Sequence, residues 1–424
     1  MATINFEGVL EMGFLDKVYQ AKERIKNVAI HTPLMKNENL SEEFAAEVWL
    51  KREDLQPVRS YKLRGAYNKI FSLSDVDKNK QVVCASAGNH AQGVAYACFK
   101  LNIKATIFMP ATTPPQKIKQ VNLFGKDKVE VVLKGDTFDE AFQHARKYCE
   151  EQSATFIHPF DDEKVIAGQG TLALELLDDQ QTSIDYLFVP IGGGGLAAGV
   201  CTVFKQLSPH TKIIGVEPAG AASMDTSIRN GVNTSLENVN KFIDGAAVKR
   251  VGTLTYEICK NYLTDIILVP EGKVCTTILR LYNEEAIVVE PAGALTIAAL
   301  DFYKEKIKGK NIVCVVSGGN NDISRTEEIK ERSLLYEGLK HYFIINFPQR
   351  PSALKEFVNS VLGPDDDITY FQFSKTNNRE SGPAVVGIEL KNHNDFPKIE
   401  EQLKYRKYNY QYLNENEDLF TLLI

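Results

Sequence analysis

Short runs rich in valine, isoleucine and leucine recur along the chain as far as about residue 330, and stretches with helical spacing separate them. The runs lie at 47–50, 82–85, 105–109, 129–133, 186–190, 213–217, 265–269 and 312–316. Several are apolar at almost every position, which is how a strand reads when both of its faces are covered; a strand with one wet face alternates instead. Helical patterns such as 91–100 and 138–152 fall between them. Strands and helices in alternation bury their apolar surface as a parallel sheet flanked by helices, so this region is expected to be α/β. The chain has 424 residues, 44% apolar and 25% charged, which is enough for two or three domains with cores of their own.

Beyond about residue 330 the texture changes. A charged helical stretch at 323–339 connects to a strand at 342–347, a helix at 351–361, strands at 368–373 and 384–390, a helix at 396–404 and a strand at 408–413. That order is a βαββαβ module of the split ferredoxin-like kind. Polar loops are expected at 365–367 and 377–382. The division is therefore 1–330, a linker at 331–340, and 341–424.

Several classes are disfavoured. A net charge of −6 argues against nucleic acid as the main partner. No uninterrupted apolar run is long enough to span a bilayer. The first sixteen residues carry Glu7 and Glu11 and no basic stretch, so they do not read as a signal peptide. Cys84, Cys98, Cys149, Cys201, Cys259, Cys275 and Cys314 are scattered, with no C-x-x-C, as expected of reduced thiols in a cytoplasmic protein. His31, His90, His144, His158, His210, His341 and His393 show no metal-ligand spacing, and no metal site is expected.

Four segments carry chemistry. In Ser60-Tyr61-Lys62-Leu63-Arg64-Gly65-Ala66 a lysine sits between an aromatic and an apolar residue at the start of a helix. In a crowded, partly apolar site its amine loses proton affinity and becomes a nucleophile. Ser86-Ala87-Gly88-Asn89-His90 follows the strand at 82–85 and opens a helix, so its amides can hold a carboxylate, and Asn89 can donate to a phenolate oxygen. Gly192-Gly193-Gly194-Gly195-Leu196 follows a strand and precedes an apolar helix at 196–207. Its amides suit a monophosphate; it lacks the Lys-Ser/Thr of a nucleotide loop and does not match G-x-G-x-x-G. Ser317 ends the strand at 312–316, where its hydroxyl can hydrogen-bond a pyridine nitrogen without protonating it. Taken singly, these are a surface lysine, a helix cap, a tight turn and a turn residue. Taken together, they supply what pyridoxal 5'-phosphate requires.

The set resembles the fold-type II pyridoxal phosphate enzymes, and among them the biosynthetic threonine dehydratases, or threonine ammonia-lyases. The segments that carry the resemblance are Lys51-Arg52-Glu53-Asp54-Leu55-Gln56-Pro57 leading into Ser60-Tyr61-Lys62, Ser86 to His90, His158-Pro159-Phe160-Asp161, Gly192 to Leu196, Asp244-Gly245-Ala246-Ala247-Val248, Glu290-Pro291-Ala292-Gly293-Ala294, and Ser317 to Asn320. The resemblance implies two open parallel-sheet α/β subdomains, the smaller (roughly 50–160) inserted in the larger. It implies that Lys62 bonds the cofactor and serves as the catalytic base. Tyr61 would pack behind the ring, Asn89 hold the ring's 3-oxygen, Gly192, Gly193, Gly194, Gly195 and Leu196 bind the phosphate, and Ser317 meet the ring nitrogen. Ser86, Ala87, Gly88, Asn89 and His90 would hold the substrate carboxylate. Gly245 and Glu290 would line the ring pocket, although a glutamate at a helix start serves equally well as a cap.

The implied reaction is α,β-elimination from L-threonine to 2-oxobutanoate and ammonia, the first step of isoleucine biosynthesis. Related racemases place a serine before Gly-Asn-His; Ala87 stands there in this chain and cannot transfer a proton. They also hold a divalent metal on an acidic pair; Glu217 is present, but Ser223 occupies the second position. Residues 341–424 resemble a single ACT-like regulatory domain, which implies feedback by isoleucine with valine opposing, and a homotetramer. Ser352 stands where a glycine is usual. A serine/threonine dehydratase or racemase of catabolic type, and a non-catalytic amino-acid sensor, remain as alternatives.

Overall fold

The computed structural model describes residues 13–180, 182–373, 380–416 and 419–420. The stretch containing Glu7 and Glu11, and positions 377–379 of the expected polar loop, lie outside the described residues. The chain divides into two compact units, Met1–Ile323 and Ser324–Ile424.

The first unit holds two sheets. The larger contains β1 (Leu34–Lys36), β2 (Glu47–Arg52), β7 (Tyr186–Pro190), β8 (Lys212–Pro218), β9 (Asp265–Val269) and β10 (Asn311–Val316), in the order β1-β2-β10-β7-β8-β9. Its neighbours are parallel except β1, which runs antiparallel to β2. The smaller sheet contains β3 (Val82–Ala85), β4 (Ala105–Met109), β5 (Val129–Leu133) and β6 (Thr155–Phe156), all parallel, in the order β5-β4-β3-β6. The chain leaves the large sheet after β2, builds the small one, and returns with β7.

Burial explains which strands the sequence displays. Every residue of β3, β4 and β7 is buried, so each reads as a nearly continuous apolar run. β1 is exposed at two of its three positions and β6 has two residues, so neither leaves a run to find. The helix Gly13–Ile25 was also not expected, yet it buries Phe14, Val18 and Ala21 in the core of the large sheet. β2 continues through Lys51 and Arg52 although both are charged. Lys51 is tolerated there because its fully buried ammonium reaches Glu175 at 2.9 Å and the Thr32 carbonyl at 2.7 Å.

That contact belongs to a buried ionic cluster around Arg64. The guanidinium donates to Glu53 through Nε at 2.8 Å and Nη2 at 2.7 Å, and to Glu175 through Nη1 at 2.7 Å and Nη2 at 2.9 Å. Arg64 and Glu53 are fully buried. Burial opposes the charge on Arg64, but the Glu53 and Glu175 carboxylates outweigh it and hold the guanidinium protonated. The cluster joins the loop after β2 and the long helix Glu163–Asp179 to the helix Lys62–Phe71.

The second unit places β11 (Lys340–Pro348), β12 (Asp367–Phe373), β13 (Ser381–Glu389) and β14 (Asn409–Tyr412) in the antiparallel order β12-β13-β11-β14. Helices Ala353–Val361 and Phe396–Tyr405 complete the βαββαβ pattern, and Phe343, Ile345, Phe357, Val386, Ile399 and Leu403 form its core. The charged helix runs from Thr326 to Tyr336. Ser352 precedes the first helix of the module with φ 69° and ψ 0°, a left-handed conformation that glycine takes without strain.

Removing one partner from a buried ionic cluster leaves its carboxylates uncompensated. Arg64→Met is expected to cost about 3–5 kcal/mol in denaturant unfolding. Lys22→Met, which breaks the solvent-exposed pair with Asp178, should change stability by less than about 1 kcal/mol.

Candidate active site

Lys62 is the first residue of its helix, and the backbone before it is stitched to the loop after β10. Ser60 bridges Gly318, the Tyr61 amide donates to the Ser317 carbonyl at 3.2 Å, and the Gly319 amide donates to the Arg59 carbonyl at 2.9 Å. The side chain lies along the Tyr61 ring, with Nζ 5.3 Å from its centroid, and donates to the Pro159 carbonyl at 3.1 Å. A neutral carbonyl stabilises the ammonium less than a carboxylate does. Burial lowers the amine to about 8, against a weaker opposing pull from Glu290.

The tetraglycine loop runs from β7 into the helix Gly195–Leu207. A Cβ on Gly193 would lie 2.2 Å from the Phe160 ring, and Gly194 has φ +90°. The Gly193 carbonyl accepts from Thr255 Oγ1 at 2.7 Å and from the Gly252 amide at 3.3 Å, which fixes the peptide plane. Close packing and a positive φ thus require glycine in a loop that leads into a helix N-terminus, and free amides at such a terminus suit a phosphate. Leu196 is buried beneath it.

His158-Pro159-Phe160-Asp161 does more than its sequence suggests. Pro159 holds Lys62 and Phe160 covers Gly193. Asp161 accepts the amides of Thr253 and Leu254, each at 2.9 Å, at the start of the helix Thr253–Tyr262. His158 Nδ1 accepts the Asp161 amide at 2.8 Å. The motif was visible, but these tasks link residues far apart in the chain and leave no local pattern.

Asn89 begins the helix Asn89–Leu101 and donates Nδ2 to Glu290 Oε1 at 2.6 Å; its Oδ1 accepts from Asn320 Nδ2 at 2.7 Å. Glu290 precedes the helix Pro291–Ala298 without capping it through its side chain, so the carboxyl belongs to the pocket. Burial, with Asp244 nearby, pushes that carboxyl up to about 7. A Cβ on Gly245 would be 3.7 Å from Glu290 Oε1 and 2.8 Å from the Ala292 Cβ, so a larger residue would crowd the pocket wall. Ser317 is buried and its hydroxyl donates to the Ala292 carbonyl at 3.2 Å. At the other loop, Ser86 Oγ accepts the Gly88 amide at 3.3 Å, and Ala87 lies between them. The His90 ring turns away to the Ile157 carbonyl at 3.0 Å, and burial, with the charge of Lys62, lowers it to about 3. The amide of His90, not its ring, therefore faces the helix start. In the sequence Asn320 only closes the motif that begins at Ser317; its contact with Asn89 is visible only in the fold.

Glu217 meets a different helix. Its carboxylate oxygens accept the amides of Met224 and Asp225, each at 2.8 Å, at the start of the helix Ser223–Asn230.

Residues 25–318 match the family described as pyridoxal-phosphate dependent enzyme, and residues 331–423 match the C-terminal regulatory domain of threonine dehydratase. The chain is 57% identical over 410 residues to the biosynthetic L-threonine dehydratase of Halalkalibacterium halodurans, covering 97% of this chain and 99% of that protein. The chain belongs to the biosynthetic threonine dehydratase family. The corresponding protein of Bacillus subtilis is 57% identical over 407 residues, covering 96% of each. Among solved structures, processed threonine deaminase isoform 2 of Solanum lycopersicum is similar with a TM-score of 0.74 at 44% identity, covering 78% of this chain and 96% of that one. A serine racemase of Dictyostelium discoideum is similar with a TM-score of 0.68 at 33% identity, covering 73% and 99%.

Pyridoxal phosphate is the cofactor of this dehydratase family, and the glycine cradle, the Lys62 amine, the Ser317 hydroxyl and the Asn89 amide fit its functional groups. Gly193→Ala, which drives a methyl into Phe160, is expected to weaken pyridoxal phosphate binding about ten- to a hundredfold by losing charge-assisted bonds to the phosphate. Titration of the apoprotein, followed by absorbance, measures this, and Phe160→Ala in the same chain should recover part of the affinity.

Proposed function

We propose that this enzyme converts L-threonine to 2-oxobutanoate and ammonia by α,β-elimination, as the first step of isoleucine biosynthesis. The observation that carries the reading is the Lys62 amine, lowered to about 8 and held by a carbonyl at the wall of a pocket that also presents a phosphate cradle. When bound, pyridoxal phosphate supplies the electron sink for charge developing at Cα. Lys62 holds the cofactor and takes the Cα proton; an amine with this proton affinity can both accept and return a proton near neutrality. Tyr61 backs the ring, Asn89 donates to its 3-oxygen, and Gly245 and Glu290 flank it. The amides of Gly192, Gly193, Gly194, Gly195 and Leu196 fix the phosphate. Ser317, on turning its hydroxyl from the Ala292 carbonyl, would donate to the ring nitrogen in place of a carboxylate, which leaves the sink weak and favours prompt loss of the β-hydroxyl. Ser86 and the amides from Ala87 to His90 take the carboxylate. The Ala87 methyl transfers no proton to the opposite face of Cα, which favours elimination over racemisation.

Catalysis would reside in 1–330, with a small subdomain of roughly 50–160, and a linker at 331–340 would lead to regulation in 341–424. That module would bind isoleucine, with valine opposing. Ser352 keeps the left-handed turn that a glycine would take, which supports an open helix start for an effector. A homotetramer would carry the regulation between subunits. The seven cysteines are free and buried, which suits the cytoplasm.

Keto-acid release from L-threonine, with and without isoleucine, tests both halves. Turnover that Lys62→Ala abolishes and isoleucine suppresses is expected. Faster β-replacement with cysteine-type substrates would overturn the reaction, and an isoleucine titration that changed neither rate nor oligomeric state would overturn the regulation.

A further inference from the structure

The polarity of one side-chain chain in the pocket is set by the backbone. The Val58 carbonyl can only accept a hydrogen bond, so the Asn320 atom 2.9 Å from it is Nδ2. The same nitrogen lies 2.7 Å from the Asn89 amide, and a donor there requires Oδ1 on Asn89. Asn89 is then left with Nδ2 turned to Glu290 Oε1 at 2.6 Å. That nitrogen carries two N–H groups. Glu290 takes one, and the second is left to donate.

We propose that Asn320 is a positioning residue for the cofactor: its bond to Asn89 Oδ1 keeps an N–H of Asn89, and not a carbonyl lone pair, presented to the ring's 3-oxygen. The inference rests on the reading that this pocket holds pyridoxal phosphate through Asn89. A flipped amide would set Oδ1 against an oxygen that carries negative charge, so orientation matters more here than mere contact. Glu290 alone does not enforce it. A charged carboxylate demands Nδ2, but a carboxyl pushed up to about 7 is protonated in a substantial fraction of molecules near neutrality, and its hydroxyl can then donate to Oδ1, so either orientation of the amide finds a partner. Asn320 is neutral and tied to a main-chain carbonyl, so its demand does not vary with pH.

The test is a double-mutant cycle on the full chain, read by the pyridoxal phosphate dissociation constant and by the absorption maximum of the bound cofactor. Asn320→Ala is expected to weaken binding about tenfold, the scale of one hydrogen bond to a charged group, and to shift the band. Asn320→Asp should do worse than alanine, because a carboxylate accepts from Asn89 Nδ2 and turns Oδ1 towards the ring. In an Asn89→Ala background, Asn320→Ala should produce no further change in either readout. An unchanged affinity and band in Asn320→Ala would overturn the proposal. An equal loss in the Asn89→Ala background would also overturn it, since Asn320 would then act as scaffold and not through Asn89. A wild-type chain that developed no cofactor band would remove the cofactor reading itself, and this inference with it. Thermal unfolding of each apoprotein separates these outcomes from a failure to fold.

Discussion

The Arg64 guanidinium, clasped by Glu53 and Glu175 with Lys51 behind them, lies two residues beyond the reactive lysine. Burying such a cluster gains little net stability, because desolvation offsets most of the Coulomb attraction. Its effect is positional. Each bond from the planar guanidinium has a required direction, so the cluster sets the axial position and rotation of the helix that starts at Lys62. On the other side of Lys62, the bonds from Arg59 and Tyr61 to the loop of Ser317 and Gly319 hold the incoming chain. The amine is thus placed from both directions before any ligand arrives, and Ser317 is tied to the same backbone.

Electrostatics inside the pocket follow from that placement. Glu290 is buried and Lys62 half-buried, and loss of hydration moves them in opposite directions: the amine down to about 8 and the carboxyl up to about 7. Both shifts favour neutral groups. Each charge would stabilise the other, but that attraction is the smaller effect at Lys62.

Much of the frame was legible because buried parallel strands announce themselves. The runs at 82–85, 105–109, 129–133, 186–190 and 265–269 are strands with those same ends. The missed parts share a physical cause. β1 is short, exposed and antiparallel, β6 has two residues, and β2 continues into Lys51, whose carboxylate partners lie more than a hundred residues away in sequence. The site divides in the same way. Glycines after a strand declare a cradle, and Lys62 declares a possible nucleophile. What pairs Lys62 with Pro159, Gly193 with Phe160 and Asn89 with Asn320 is tertiary, and no spacing encodes it. Ser352 lies between these cases: the residue type does not announce a turn of this kind, and only the backbone shows that it takes a glycine-like conformation.

The central claim is that burial, and not a neighbouring charge, makes Lys62 a nucleophile. The most direct measurement is the rate at which apoprotein captures pyridoxal phosphate as a function of pH. A neutral amine is required, so the rate should rise with pH, bend near 8 and then level off, since deprotonation is complete above the lowered value. At pH 7 about a tenth of the amines would already be free, against well under a hundredth for an ordinary lysine near 10.4. A capture rate that keeps climbing through pH 10 would show an unperturbed lysine and contradict the account.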